Sequence, residues 1–418
     1  MSRSEGAMST ELTTDFRQGA PPPLVVEVLE CAAAEVPVPA AARARTKSLR
    51  CAVHESVLSF HRYTGLTVGL VLVFTGATGI LLSYQSRLEP AVYPGLLAAP
   101  AGNARMPLDV LVKSAKAAHP TGKLDYVRVK GAKAGAVDLP STQVRLAGPG
   151  FQDDLFFAPS TGQLLGQRAR YGGFFGTVTA LHKLKFLGGN AHLVAGSLAL
   201  LFALLLAGAG IYLWWPKCLK AVKHSLKPNP RLRGRERTIN LHKVVGIYAS
   251  LVLVPTALTG LPQSFDWYRD GIYRIAGSPK AAAPESTPIA GNKLLGMEAY
   301  WRKLQSLVPD PAEALIHWPE KPRDAVEIYA IERGAPHPNA RSVLYLDAYT
   351  GDVLRFTPYA QSSLGHKAYF WTLSWHTGLV GGLFGPALQV SGALALLFLA
   401  WSGVTSFVRR SLRKARRT

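Results

Sequence analysis

The feature that most constrains this chain is a set of four apolar stretches, each close to the length that crosses a lipid bilayer. A helix needs about 20 predominantly apolar residues to span the hydrocarbon core. Backbone polar groups find no water there, so a segment of this kind satisfies its own hydrogen bonds by forming a helix. We therefore predict four membrane helices, at Thr64–Tyr84, Leu193–Trp215, Val244–Leu261 and Leu388–Val408.

The positive charge of the chain lies at the ends of these stretches. The net charge is +21 at pH 7, and Lys and Arg crowd the linker 217–237 and the tail 409–417. Such residues hold the neighbouring helix ends on the cytoplasmic side. This placement accounts for the basic composition without nucleic acid as a partner. We expect both termini and the linker to be cytoplasmic, and the two long segments between the spans to be periplasmic.

The chain also consists of two similar halves in the same orientation. The segment His61–Ile80 resembles His242–Leu261, because each begins with His-x3-Gly and ends with Thr-x2-Thr-Gly and an aliphatic residue. His182 and His376 each lie 15 residues ahead of a serine in the apolar run of the second and fourth spans. A repeat of this kind predicts tandem copies of one unit.

The soluble segments repeat as well. Phe157–Leu165 and Leu346–Leu354 both read as a strand, a Thr-Gly turn and a second strand, and predicted helices at Leu108–Ala118 and Leu295–Leu307 precede them. The predicted fold class is a membrane all-α four-helix bundle of two tandem homologous halves, with two small α+β periplasmic domains. The expected segments are a disordered leader (1–53), the first membrane helix (54–84), the first periplasmic domain (85–185), the second membrane helix (186–216), a basic loop (217–240), the third membrane helix (241–262), the second periplasmic domain (263–375), the fourth membrane helix (376–408) and a basic tail (409–418).

Four of the 11 histidines occupy equivalent places in the two halves. His61 and His242 open the first and third spans at the cytoplasmic face, whereas His182 and His376 precede the second and fourth spans at the outer face. Neutral imidazole is a good axial ligand for haem iron, and two such ligands favour electron transfer over substrate binding at the metal. Because the core of a helix bundle is a natural cofactor site, the pattern predicts one haem near each face.

Three alternatives to this assignment stay open. His192, ten residues after His182, could replace it as the outer ligand, since depth in the membrane favours His192 and repeat symmetry favours His182. His366, ten residues ahead of His376, is a weaker candidate. A histidine at the end of a span can also be only an interfacial anchor.

Five short motifs, in this order and spacing, resemble the PepSY-associated transmembrane family of iron-regulated inner-membrane proteins, which includes ferric-siderophore reductases. The motifs are His61-Arg-Tyr-Thr-Gly-Leu66, Leu181-His-Lys-x-x-Phe186, Tyr212-Leu-Trp-Trp-Pro-Lys217, Leu241-His-Lys-x-x-Gly246 and Trp375-His-Thr-Gly378. The resemblance covers about residues 54–410 and implies PepSY-like periplasmic domains in a bacterial inner-membrane protein. It also implies two b-type haems with His61, His242, His182 and His376 as iron ligands.

The resulting expectation is a transmembrane oxidoreductase that reduces ferric iron, as a ferric siderophore or similar chelate, on the periplasmic face. Some relatives carry a fused flavin and nicotinamide module, and this chain shows none, so we expect a separate donor such as quinol, reduced flavin or a flavoprotein. No protein side chain is expected to act as an acid, base or nucleophile. Competing hypotheses are a non-enzymatic PepSY membrane protein that binds envelope partners, and a haem-free siderophore transporter. Against the transporter, no span carries a charged residue near its middle.

Overall fold

The computed structural model describes residues 40–97, 104–132, 139–289, 291 and 293–415. The chain divides into two compact units, Met1–Ser48 and Leu49–Thr418. Most of the predicted leader lies outside the described residues, although the first helix already begins at Ala40.

The described residues contain thirteen α-helices and eight β-strands. The helices are α1 (Ala40–Ser83), α2 (Gln85–Val92), α3 (Pro94–Leu97), α4 (Leu108–Ala118), α5 (Gly173–His182), α6 (Ala191–Leu201), α7 (Gly208–Trp214), α8 (Val222–Ser225), α9 (Gly234–Gly260), α10 (Asp266–Ile275), α11 (Met297–Leu307), α12 (Leu364–His376) and α13 (Phe384–Ala415). The strands are β1 (Lys123–Lys130), β2 (Thr142–Gly148), β3 (Phe151–Phe157), β4 (Leu164–Ala169), β5 (Pro311–His317), β6 (Val326–Glu332), β7 (Arg341–Leu346) and β8 (Val353–Thr357).

Four helical segments are long and apolar enough to cross a membrane, which confirms the four predicted spans. We number them span one (Leu49–Ser83), span two (Ala191–Trp214), span three (Gly234–Gln263) and span four (Phe384–Leu412). Span two is not a uniform α-helix, because Phe202–Ala207 forms a π-helical turn between α6 and α7. The chain is therefore a membrane protein.

The predicted fold class is wrong about the rest of the chain. The two soluble segments do not form two small domains beside an all-α bundle; they join in one eight-stranded antiparallel sheet of order β4-β3-β2-β1-β5-β6-β7-β8. The joint is the pairing of β1 with β5, from Tyr126 opposite His317 to Lys130 opposite Glu313. Each half alone would leave its first strand as an unpaired edge, and pairing the two edges removes both.

One hydrophobic core runs under both halves of this sheet. Helices α4 and α11 lie on the same face, and Leu108, Leu111, Tyr300 and Leu304 are fully buried in it. The two helix N-termini cap each other across the joint. Asp109 accepts a hydrogen bond from the Met297 amide at 2.6 Å, and Glu298 accepts one from the Leu108 amide at 2.9 Å. Carboxylates at helix N-termini stabilise the free amides and the helix dipole, so these contacts fasten one half to the other.

The repeat within the sheet agrees with the sequence. The predicted Thr-Gly turns fall between β3 and β4 and between β7 and β8, and their glycines have φ of 71° at Gly162 and 75° at Gly351. The chain then enters α5 in the first half and α12 in the second. These two short helices end at His182 and His376. Both histidines therefore lie where the chain passes from the sheet to the spans.

Candidate functional site

The four repeat-related histidines lie in two facing pairs. The inner pair, His61 and His242, lies at the end of the spans that carries the basic segments, and its ring centroids are 6.3 Å apart. The outer pair, His182 and His376, lies at the end that carries the sheet, and its ring centroids are also 6.3 Å apart. Each pair combines one histidine from each half of the chain.

In every ring, Nδ1 faces an acceptor on the partner span of the same half. His61 Nδ1 lies 3.0 Å from the Leu206 carbonyl. His182 Nδ1 lies 3.0 Å from the Thr75 carbonyl, and His376 Nδ1 lies 2.9 Å from the Thr256 carbonyl. A carbonyl can only accept, so in these three rings Nδ1 carries the proton and Nε2 keeps its lone pair.

His242 reaches the same state through a side chain. Its Nδ1 lies 2.7 Å from Ser402 Oγ, and that hydroxyl donates to the Leu399 carbonyl at 3.1 Å. The serine oxygen therefore accepts from His242. Metal-binding histidines are usually held in this way, with the second ring nitrogen bonded to a carbonyl or a similar group.

A glycine lies beside each ring, again on the partner span of the same half. Cβ atoms added at Gly79, Gly210, Gly260 and Gly403 would meet Cε1 of His182, His61, His376 and His242, at 3.3, 3.1, 2.6 and 3.9 Å respectively. A larger side chain at Gly260 or Gly210 would collide with the imidazole. The absence of a side chain at these two positions therefore leaves room for the ring.

The separation of the rings fits one metal ion held between them. A metal–imidazole bond is about 2.0 Å long, so two such bonds in line plus the distances from nitrogen to ring centre give about 6 Å. Two imidazoles alone are a poor site for a bare ion, and no cluster of three or more His, Cys, Asp or Glu occurs in the described part of the chain. A planar macrocycle that supplies the other four ligands is the group that this donor set fits.

A cavity of about 450 Å³ surrounds the inner pair. Its deeper part is lined by apolar residues that include Phe202, Leu253 and Leu396, and Gly65 and Gly69 form part of its wall. Arg62 and Arg410 lie among the lining residues at its basic end. From the sequence, these two arginines indicated only the cytoplasmic side of the membrane. No role was predicted for His54, which lines the same cavity and lies 6.2 Å from Tyr212 between ring centroids.

The alternative ligands lie elsewhere. His192 is exposed at the start of α6 and lines a separate pocket with Pro262, Trp267 and Tyr369. His366 places Nε2 2.9 Å from the Arg341 carbonyl. Opposite His376 the structure places His182, and repeat symmetry is therefore the better guide to the outer pair.

The sequence reasoning also missed the Nδ1 acceptors. Two of them were visible in the repeat, because Thr75 and Thr256 are equivalent in the two halves. Leu206 and Ser402 had no such signal. Gly210 of span two follows His182 by 28 residues, whereas Gly403 of span four follows His376 by 27. A π-helical turn accommodates one extra residue, so the turn at Phe202–Ala207 brings both glycines to the same level.

Comparison with known proteins places the chain in one family. No protein of curated function matches it significantly. The family model for the PepSY-associated TM region matches residues 58–410, which include the whole sheet, spans two and three, and most of spans one and four. The chain therefore belongs to the PepSY-associated TM region family.

Proposed function

We propose that this protein is a di-haem b electron-transfer protein of the bacterial inner membrane that reduces ferric iron, as a ferric siderophore or similar chelate, on the periplasmic face. The observation that carries the proposal is the geometry of the two histidine pairs. Both have the same ring separation of 6.3 Å and an Nδ1 anchored to the partner span.

The four histidines would bind one haem at each end of the spans. His61 and His242 would hold the inner haem, and His182 and His376 the outer haem. Bound haem would supply a one-electron Fe(III)/Fe(II) couple, and two histidine ligands would favour electron transfer over direct binding of substrate to the iron. The anchored Nδ1 atoms fix the orientation of all four rings and leave Nε2 as the ligating nitrogen, and the apolar walls of the cavity would limit the access of water to the inner group.

The two levels lie at opposite ends of the spans. Thr75 and Gly79, which contact His182, follow His61 by 14 and 18 residues. At 1.5 Å per residue this corresponds to about 21–27 Å along the helix. Span three repeats the spacing, since Thr256 and Gly260 follow His242 by the same numbers. Two redox groups at these levels would connect the two faces of the bilayer.

The orientation follows from the placement of basic residues. Lys and Arg are concentrated at the inner end of the spans, in the linker and the tail, which favours a cytoplasmic position for the inner pair. The sheet and the outer pair would then face the periplasm. A quinol or dihydroflavin donor that gives up two electrons would reduce two ferric ions. Ferrous iron prefers softer ligands than the oxygens of siderophores, so reduction would weaken the chelate.

A vesicle assay tests the activity. The full chain is reconstituted in vesicles that contain reduced flavin, a ferric siderophore is added outside, and a ferrous-specific chromogenic chelator reports the product. We expect ferrous iron outside the vesicles with the natural chain and with His224→Ala, an exposed histidine of the basic linker. His61→Ala and His376→Ala should each abolish it, and His192→Ala should preserve it. Equal rates of ferrous iron production for the natural chain, His61→Ala and His376→Ala would refute the proposed activity.

A further inference from the structure

The inner cavity has a positively charged end. Arg62 of α1, Arg235 and Lys243 of α9, and Arg410 of α13 all line it, and we call these four residues the cationic rim. Arg62 and Lys243 directly follow the two inner histidines in sequence. Arg235 precedes His242 by seven residues, which is about two helical turns. The rim thus lies at the same end of the spans as the basic linker and tail.

The rim lacks an anionic partner. None of its members makes an ion pair with another described residue, and no Asp or Glu is among the described residues that line the cavity. Arg235 is half-buried, and its Nε is shielded from solvent with no hydrogen-bond partner in the described protein. A shielded donor of this kind normally finds an acceptor. Since the four cations of the rim have no acidic residue beside them in the described part of the cavity, an anionic acceptor suits this site best.

The cavity is therefore amphipathic along its length. Its deep end is apolar, at Phe202, Leu253 and Leu396, and its shallow end is cationic, with the inner histidine pair on its walls. An occupant that matches it has a large apolar body and an anionic edge. Burying that edge toward the rim avoids the large desolvation penalty of an unpaired carboxylate in a low-dielectric site.

We propose that Arg62, Arg235 and Arg410 bind the two propionate carboxylates of the tetrapyrrole that His61 and His242 would ligate, and so orient its polar edge toward the basic end of the spans. This inference rests on the proposed function, because it names the part of the bound group that the rim recognises. Arginine suits the role, since its guanidinium can donate two parallel hydrogen bonds to one carboxylate.

The first experiment measures the two midpoint potentials of the purified holoprotein by redox titration. Oxidised iron carries one more positive charge than reduced iron, so a nearby arginine favours reduction. We expect Arg62→Gln, Arg235→Gln and Arg410→Gln each to shift the inner Fe(III)/Fe(II) equilibrium toward ferric by about threefold to tenfold. The outer group should not change. Arg409→Gln, a neighbouring exposed arginine that does not line the cavity, should change neither.

The second experiment uses iron protoporphyrin and its dimethyl ester, which has no carboxylates. Apoprotein prepared from the full chain should bind the ester at the inner site at least about tenfold more weakly than the acid, and the triple Arg→Gln variant should lose this preference. Arg62→Lys, which keeps the charge, should retain part of it. A variant that still binds the outer haem is folded, so loss of the inner haem alone supports the proposal.

Two results would overturn the inference. The first is an inner midpoint potential that the arginine substitutions leave unchanged, together with equal binding of acid and ester, in a protein that holds both haems. It would show that the rim does not bind the carboxylates. The same holds if the potential shifts vanish once anionic lipid is removed, because the rim would then bind lipid phosphate. A protein that binds no haem at all would instead overturn the proposed function itself, and this outcome is distinct from the other two.

Discussion

The inner and outer histidine pairs have the same ring separation but different surroundings. Both inner histidines lie within membrane spans and line an apolar cavity with a cationic rim. Both outer histidines are the last residues of short helices, α5 and α12, that lead out of the sheet. The repeat of the two halves therefore explains why the histidines lie in pairs. The places where the halves differ explain why the two pairs have different surroundings.

One departure ties the outer pair to the sheet. In the first half only two residues join β2 to β3, whereas in the second half the loop 333–340 joins β6 to β7. His337 of this loop is buried; its Nε2 donates to the Tyr359 hydroxyl at 2.9 Å, and its Nδ1 accepts from the Ser374 hydroxyl at 2.8 Å. Ser374 lies two residues before His376, so this loop anchors the helix that ends at His376 of the outer pair.

The largest expected effect comes from shortening the spans that flank the inner pair. Deletion of Leu397 from span four should rotate Ser402 and Gly403 away from His242 by about 100° and abolish inner haem binding. Deletion of Leu204 should be tolerated, because removing one residue from the π-helical turn leaves an ordinary α-helix. Spectra of the two purified variants measure the haem that remains. Loss of the inner haem in both would contradict the role given to the π-helical turn.

The second prediction concerns the glycines beside the rings. Here we expect the outer pair to be affected and the inner pair to be spared, the reverse of the first prediction. A methyl group at Gly260 would lie 2.6 Å from Cε1 of His376, whereas one at Gly403 would lie 3.9 Å from Cε1 of His242. Overpacking of this kind costs about 1–3 kcal/mol. We expect Gly260→Ala to lose most of the outer haem and Gly403→Ala to keep both. Haem content per chain decides between them, and equal content in the two variants would argue against a close fit at Gly260.

Part of the fold and of the candidate site could be predicted from the sequence. The four spans, the two halves and the four histidines were readable because apolar length and repeated motifs are local signals. The single sheet was not, because the pairing of β1 with β5 joins strands about 180 residues apart and leaves no local pattern. The equivalence of Gly210 and Gly403 was hidden by the extra residue in span two. The four cations of the rim read only as part of a positive-inside pattern until the helices brought them together.

A smaller effect is expected at Ser402, whose hydroxyl is the Nδ1 acceptor of His242 and can be removed by substitution. The other three acceptors are backbone carbonyls. Ser402→Ala should leave Nδ1 of His242 without its partner and weaken inner haem binding by about 10–100-fold. Ser391→Ala, an exposed serine of the same span whose hydroxyl bonds the Leu388 carbonyl, should have no effect. Haem-transfer kinetics to an acceptor protein measure the change, and equal rates for both variants would exclude the tautomer argument.

The smallest effect is expected from acidification of the loop at His337. Burial lowers the pKa of His337, so the neutral ring is the form that the folded loop favours. The stability it contributes is fully present above the ordinary pKa of about 6.5 and is lost as the pH falls below that value. We expect proteolytic cleavage within 333–340 to rise between pH 7.5 and 5, and less so in His337→Gln. Cleavage that does not depend on pH in the natural chain would contradict this.

The most direct test of the account is the number of haems that each chain binds and how single substitutions change it. The account predicts two low-spin b haems per purified chain, one lost in His61→Ala or His242→Ala and the other lost in His182→Ala or His376→Ala. His192→Ala should keep both. A colourless protein after expression with sufficient haem, or a chain in which all four single variants keep both haems, would contradict it.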